Sequence, residues 1–563
     1  MPLRNVQIVP GFNKADTPSG AEGQWIDGDF VRFRYGQPEK IGGFQAIGTN
    51  TISGPTRAQH TWTDLEGKRY AALGTSKALY IYYEDKFYDI TPLATAITGA
   101  TFSSTQNSNV VTVTKASHGL DVGEYITFTS VSLPGGGATG FTVANFQDFT
   151  FEILTVPTTS TFTVQMKSNE TGTGMSTAGG ATINPYEEIG PTIQTYGYGW
   201  GTSTWSRLTW GSGSTTSSVI LDPGTWSLDN FGQQLIATVK DGKTFVWNPG
   251  VSNPLENRAV VMSGAPTATR LTITSDRDRH VVHFGTETTI GDATTQDPMF
   301  IRFSDQENFS AYQMQFVGPP FTFSIRQVGS NCGCIGQHGV VYADGRVYWM
   351  GSGGGFFVFD GTVKLLPSLV EDFVFTTTGS NVGVNYSSNE IIYASHNSLF
   401  NEIVWFYPAG TPSGNPAVQN NRAVVYNYVE NSWSTMSLAR SSYADASTYA
   451  VPYTTTAIPA YIQSGDFDLP TEGDGEYILR LSRFLPDFKN LQGNAIVTIF
   501  LKNFPIDGGT SSQLGPFTIN STTQKIDTRA RGRLANIKIQ NTAVDETWRF
   551  GTFRADVNPD GRR

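Results

Sequence analysis

The chain has 563 residues, more than one ordinary core holds, so two to four domains or one large repeat unit are expected. Charged residues make up 15% of it, against about 25% in an average soluble protein, and the formal net charge is −10. That balance disfavours a protein that grips nucleic acid by neutralising phosphates, and few charges with many turns disfavour long solvent-exposed helices.

What remains is a strand-and-turn composition: aromatics reach 12% and Gly numbers 60. Residues 1–50 read as an N-terminal platform segment around Gly23-Gln-Trp-Ile-Asp-Gly-Asp-Phe-Val-Arg-Phe-Arg34. There Phe30, Arg32 and Arg34 alternate with Val31 and Phe33, the pattern of a half-buried strand. Residues 51–95 hold a first blade-like unit: Arg69-Tyr-Ala-Ala-Leu-Gly74, then Leu79-Tyr-Ile-Tyr-Tyr83, closing at Pro92. The same object returns as Arg346-Val-Tyr-Trp-Met-Gly351, Phe356-Phe-Val-Phe359, the turn Asp360-Gly361, and Pro367. Self-similarity of an all-β unit predicts a β-propeller.

Between 96 and 184 the texture changes to Thr, Ser and Gly. Val110-Val-Thr-Val-Thr114, Tyr125-Ile-Thr-Phe128, Phe149-Thr-Phe-Glu-Ile-Leu154 and Thr161-Phe-Thr-Val-Gln165 predict an inserted β-barrel or sandwich of about four or five strands. Its flanks, 94–101 and 172–182, read as linkers. Residues 185–475 are expected to complete the propeller, with units at Gln234–Val239, Arg279–Gly285, Phe300–Tyr312, Val340–Pro367, Ile391–Ala394, Ile403–Tyr407 and Ala423–Trp433. Residues 476–563 form a second platform segment of strands. The fold class expected is therefore all-β: a propeller, an inserted small barrel or sandwich, and a platform formed by the two termini.

No pattern here asks for catalysis, a metal or a cofactor. His280 and His283 are three apart, so on a strand they face opposite sides and share no ion. His118 precedes Gly119 and reads as a turn residue. Gly351-Ser-Gly-Gly-Gly355 leads into a strand rather than a helix, which makes it a hairpin and not a phosphate loop. Asp27-Gly-Asp29 and Asp466-Phe-Asp468 pair carboxylates, yet neither has the further oxygen ligands of a calcium loop. Cys332 and Cys334 are too few for a disulfide framework and too close for a usual zinc pair, so free thiols made in a reducing cytoplasm are expected. No apolar run approaches the ~18 residues of a membrane span, and no secretory signal is expected.

Two constellations remain. Tyr196, Tyr198, Trp200, Trp205 and Trp210 sit among glycines and fit a packed interface or, alternatively, a sugar-stacking surface. Arg529, Arg531 and Arg533 alternate along one strand face, and Arg549, Arg554, Arg562 and Arg563 extend a basic C-terminal region. They fit an interface with an acidic partner subunit, with a solvated strand face or DNA as the other readings.

A co-linear set of segments resembles one family. The set is Ile8-Val-Pro-Gly-Phe-Asn-Lys14, Gln24 to Phe33, Lys40-Ile-Gly-Gly-Phe44, Gly197-Tyr-Gly-Trp-Gly201 with Trp205 and Thr209-Trp-Gly211, Thr225-Trp-Ser-Leu-Asp-Asn-Phe-Gly232, Thr528-Arg-Ala-Arg-Gly-Arg533, Trp548-Arg-Phe-Gly551 and Pro559-Asp-Gly-Arg-Arg563. It resembles the tail hub or nozzle proteins of short-tailed bacteriophages, once called packaged-DNA stabilisation proteins. The likeness runs nearly the whole length, with the 96–184 insert outside it. It implies a non-catalytic virion tail protein made in the host cytoplasm. Six copies would ring the DNA exit channel below an adaptor ring, hold the packaged genome until ejection, and carry fibres, spikes or a needle. Double-stranded DNA would pass through, and no membrane insertion is implied. The insert would serve as a fibre dock or nozzle tip. The alternative is a propeller that binds or degrades polysaccharide on a surface.

Overall fold

Four-stranded antiparallel sheets repeat along the chain. A computed structural model describes residues 4–42, 48–134, 139–147, 149–196, 220–249, 257–275, 280–304, 311–313, 332–376, 383–410, 417–442, 458–468, 477–505, 512–541 and 543–561. The contacts divide it into two units, Gly48–Phe323 and the pair of segments Met1–Ile47 with Ser324–Arg563.

In the Gly48–Phe323 unit the first sheet is Thr56–Thr63, Arg69–Thr75, Leu79–Tyr83 and Lys86–Asp89, each strand pairing with the next. Alternating burial of Tyr70, Ala72, Leu79 and Ile81 puts one face into a core with Trp226, Leu235 and Trp247. Glu84 and Asp85 both take positive φ, 45° and 62°, which the tight two-residue hairpin demands. Two more sheets of the same design follow: Trp226–Phe231 to Val260–Val261, and Leu271–Thr274 to Ala311–Gln313. A Trp ring staples the first sheet to the second. Trp226 donates Nε1–H to the Thr75 carbonyl at 2.8 Å. Its ring lies so close to the Gly74 backbone that a β-carbon there would stand 2.5 Å from it. Gly74→Ala is therefore expected to destabilise the protein by about 1–3 kcal/mol, because a packed indole and a sheet backbone both resist displacement. Thermal unfolding checks this, and an unchanged midpoint contradicts it.

The insert is a closed barrel of six strands. Around it run Ile97–Ser104, Val110–Thr114, Thr161–Gln165, Thr150–Thr158, Tyr125–Ser132 and Ala178–Pro185, the last pairing back to the first. Phe102, Phe128, Phe151 and Phe162 fill it, and the short helix Ala144–Gln147 delivers Phe146, whose ring is 4.6 Å from that of Phe102. Thr101, Thr112 and Thr163 face out. The flanks read as linkers are corrected here: Ile97–Ser104 and Ala178–Pro185 are the strands that close the barrel. Within the stretches 94–101 and 172–182 the buried strand residues are the small Ala100 and Ala181, and the large Phe102 and Ile183 fall just beyond them. Glu170, fully buried, ties two loops beside it by accepting from Ser104 Oγ at 2.9 Å, Thr139 Oγ1 at 2.8 Å and the Gly172 N–H at 2.9 Å.

In the other unit, two further sheets run Val340–Ala343 to Val363–Leu366 and Tyr393–Asn397 to Ser432–Met436. The Trp staple recurs: Trp405 donates to the Gly339 carbonyl at 3.1 Å and Trp433 to that of Pro367 at 3.0 Å. Gly351 to Gly355 is the hairpin between two of these strands, as its sequence predicts. Three more sheets interleave the termini. One orders Val9–Phe12, Gln24–Asp29, Ala460–Ser464, Leu534–Asn541, Ala495–Lys502 and Ser512–Ile519. A second orders Phe488–Gln492, Thr547–Phe550, Gln37–Lys40 and Val31–Arg34. The third orders Arg4–Val6, Phe553–Pro559, Leu479–Leu485 and Ile526–Gly532. The chain is all-β, with propeller-type blades, an inserted barrel and a platform made by both ends.

Candidate functional site: the arginine face of the terminal sheet

The Arg4–Val6, Phe553–Pro559, Leu479–Leu485, Ile526–Gly532 sheet buries one face and exposes the other. Leu479, Leu481, Phe484, Ala530, Ala555 and Val557 point into the core. Period-two alternation then forces their neighbours outward. Arg480 is directly opposite Arg531 on one side and Asn558 on the other, and all three face out. A bulge between Leu481 and Arg483 keeps Arg483 outward, opposite Asp527 and Asp556. Arg529 and Arg554 are exposed on the two flanking strands. Five arginines thus share a surface with Asp527, Asp556 and, just past the strand end, Asp560.

The aspartates are already engaged. Arg531 Nε sits 2.9 Å from Asp560 Oδ2, and its Nη2 donates to the Asp560 carbonyl at 3.1 Å. Arg483 Nε lies between Asp527 at 3.7 Å and Asp556 at 3.9 Å, and Lys525 reaches Asp527 at 3.0 Å. Arg480, Arg529 and Arg554 have no carboxylate partner among the described residues.

Of the basic residues expected together, Arg529, Arg531 and Arg554 meet on this face. Arg533 is half-buried beyond the strand end, where its N–H donates to the Lys502 carbonyl at 2.9 Å. Arg549 is corrected: it lies on the Thr547–Phe550 strand of another sheet, 5% exposed, with its Nε 2.5 Å from Glu39. It is buried beside its strand neighbour Glu39 of Gln37–Lys40, out of a partner's reach. Arg562 and Arg563 lie outside the described residues. Arg480 and Arg483 were missed. Their signal is the apolar–polar alternation of Leu479-Arg-Leu481, which breaks at Ser482 where the bulge sits.

The other candidates resolve into structure. Tyr196 lies on the short strand Thr195–Tyr196, while Tyr198, Trp200, Trp205 and Trp210 fall outside the described residues. Asp27 takes Lys14 Nζ at 2.7 Å and the Tyr461 hydroxyl at 2.7 Å. Burial pushes its carboxyl up, but Lys14 and the hydrogen bonds pull it net below the ordinary range. Asp29 accepts from the Ser437 and Phe30 N–H groups, and burial pushes it up. Asp466 is fully engaged by Lys502 at 3.1 Å, Asn536 at 2.7 Å and Ser19 at 2.9 Å. Among the described residues no cluster of His, Cys, Asp or Glu is arranged to hold a metal. His283 is wholly buried and its Nδ1 lies 3.2 Å from Thr272 Oγ1, whereas His280, just before the strand, pairs with the Ser304 carbonyl at 2.6 Å. A cavity of about 80 Å³ beside Phe149 and Lys167 on the barrel is small beside the ~300 Å³ or more of ordinary ligand pockets.

No family model and no curated protein matches the sequence. Solved structures similar to it include the phage phi92 endosialidase, at 10% identity and TM-score 0.16, covering 84% of this chain and 64% of that one. A glycoside hydrolase is similar at 11% identity and TM-score 0.21, covering 61% and 92%. AztD from Citrobacter koseri follows at 9% identity and TM-score 0.20, covering 68% and 71%. The chain thus spans under two thirds of the endosialidase chain. At such TM-scores these likenesses carry no functional argument, and the fold rests on the sheets themselves.

Proposed function

We propose that the chain is a structural virion protein, a tail hub or nozzle that rings the DNA exit channel, retains the packaged genome and mediates its ejection. The observation that supports this is convergence. Gln24–Phe33, Lys40-Ile41 and Trp548–Gly551 belong to the segments that resemble the nozzle family, and they lie some five hundred residues apart. They fold against one another: Trp25 packs edge-on to Phe550 at 6.1 Å, and Glu39 pairs with Arg549. Phe12, Trp25, Val31, Phe33, Trp548 and Phe550 share one core. These three parts of the resemblance, distant in the sequence, thus meet in one core. The weakly charged, acidic chain suits a passage through which phosphates must slide. In this reading six copies close a ring by head-to-tail contacts. The terminal sheets face the adaptor, and fibres, spikes or a needle attach to the tail.

The test is a phage lacking this chain. Heads are expected to fill and then lose their DNA, and tails are expected to lack the distal ring. Heads that keep their genome, or cleavage of polysaccharide by the purified chain, contradict the proposal and favour a surface carbohydrate protein.

A further inference from the structure

We propose that the arginine face docks a protein surface rich in carboxylates, and that it does not bind DNA. The inference names the partner chemistry of the platform assigned above and rests on that reading. Three observations carry it. First, Arg480 stands directly opposite Arg531 in the sheet, an arrangement of like charges that costs stability unless an anion sits between them. Arg531 turns away to Asp560, which leaves Arg480 facing outward alone. Second, Arg480, Arg529 and Arg554 occupy three adjacent strands, are exposed, and have no carboxylate partner among the described residues. Guanidinium forks on rigid strands are set to take carboxylates two oxygens at a time.

Third, the face is mixed rather than uniformly basic. Asp527, Asp556 and Asp560 are interspersed with the arginines and repel a continuous phosphate track. A protein surface can place its carboxylates over Arg480, Arg529 and Arg554 and leave neutral or basic groups over the aspartates; a duplex backbone cannot. The negative balance of the chain lies mostly elsewhere. Gly48–Phe323 carries 15 Lys and Arg against 23 Asp and Glu, whereas the unit that holds this face carries 23 against 25.

The probes are labelled poly-L-glutamate and a DNA duplex of equal charge, titrated with the full chain in about 0.1 M salt and read by fluorescence anisotropy. Poly-L-glutamate is expected to bind more tightly than the duplex. The variant R480A/R529A/R554A is expected to lose about tenfold or more of that affinity. All three side chains are exposed, so its thermal unfolding should match that of the wild type. Tighter binding of the duplex, no binding of poly-L-glutamate, or an unaltered affinity in the variant overturns the proposal. A change in oligomeric state on the same substitutions assigns the face to a second copy and overturns it too. A ring that forms without poly-L-glutamate binding sinks this inference alone, whereas the absence of any ring sinks the proposed function.

Discussion

Replacing Arg32 by methionine is expected to cost about 3 kcal/mol of stability, one of the two largest effects the structure predicts. Arg32 Nε lies 3.2 Å from Glu402 Oε1, with the two side chains 11% and 3% exposed. The Nε–H makes no hydrogen bond among the described residues, so charge holds the pair, together with the Phe400 ring 3.5 Å beneath the guanidinium. Burial pushes the Glu402 carboxyl up, against the pull of Arg32 and the Asn397 amide. Without Arg32 that carboxyl is left buried and must either hold a bare charge or take up a proton. Replacing both residues by methionine removes the charge problem and should recover most of the loss. Denaturant unfolding of both variants checks this. A single variant within about 1 kcal/mol of wild type, or a double variant no better than the single, contradicts it. The pair matters because Arg32 belongs to the N-terminal segment that resembles the nozzle family, and Glu402 belongs to a blade.

The second large effect is a loss of stability in mild acid. Burial first, and the Arg302 guanidinium second, push His283 from an ordinary value of 6.5 down to about 4. Its Nε2 has no hydrogen-bond partner among the described residues, so a proton added there would be buried without an acceptor. The unfolded chain therefore takes up a proton between pH 6.5 and 4 that the folded chain refuses. The contribution is fully present above about pH 6.5 and is lost as pH falls toward 4, about 3 kcal/mol in all. His283→Gln should flatten the pH dependence in that window. The difference between variant and wild type isolates this group from Glu402, whose raised carboxyl acts with the opposite sign. Asp27, held low, adds its own loss only below the ordinary Asp value of 3.8. An equal slope in the two proteins contradicts the assignment.

What the sequence showed and hid follows from how far apart the contacting residues are. The blades announced themselves because each is local: strand, turn and strand lie within about forty residues and alternate cleanly. The barrel was legible from its interior strands. Its closing strands were not, because Ala100 and Ala181 are small and their pairing spans the whole insert. Arg529 and Arg531 were correctly placed on one face by alternation alone. The same alternation puts Arg549 between Trp548 and Phe550 and points it outward, yet all three are buried. Only Glu39, at the other end of the chain, decides that, and no local pattern encodes such pairing. Arg483 escaped notice because a bulge after Leu481 breaks the register, an irregularity that periodicity cannot show, whereas Arg480 stood in an alternation only three residues long.

Electron cryomicroscopy of tails assembled with this chain tests the central claim most directly. A closed ring of six copies around a passage for duplex DNA, with the termini toward the adaptor, is the predicted result. Copies scattered singly on the virion surface, or an assembly with no passage, would contradict it.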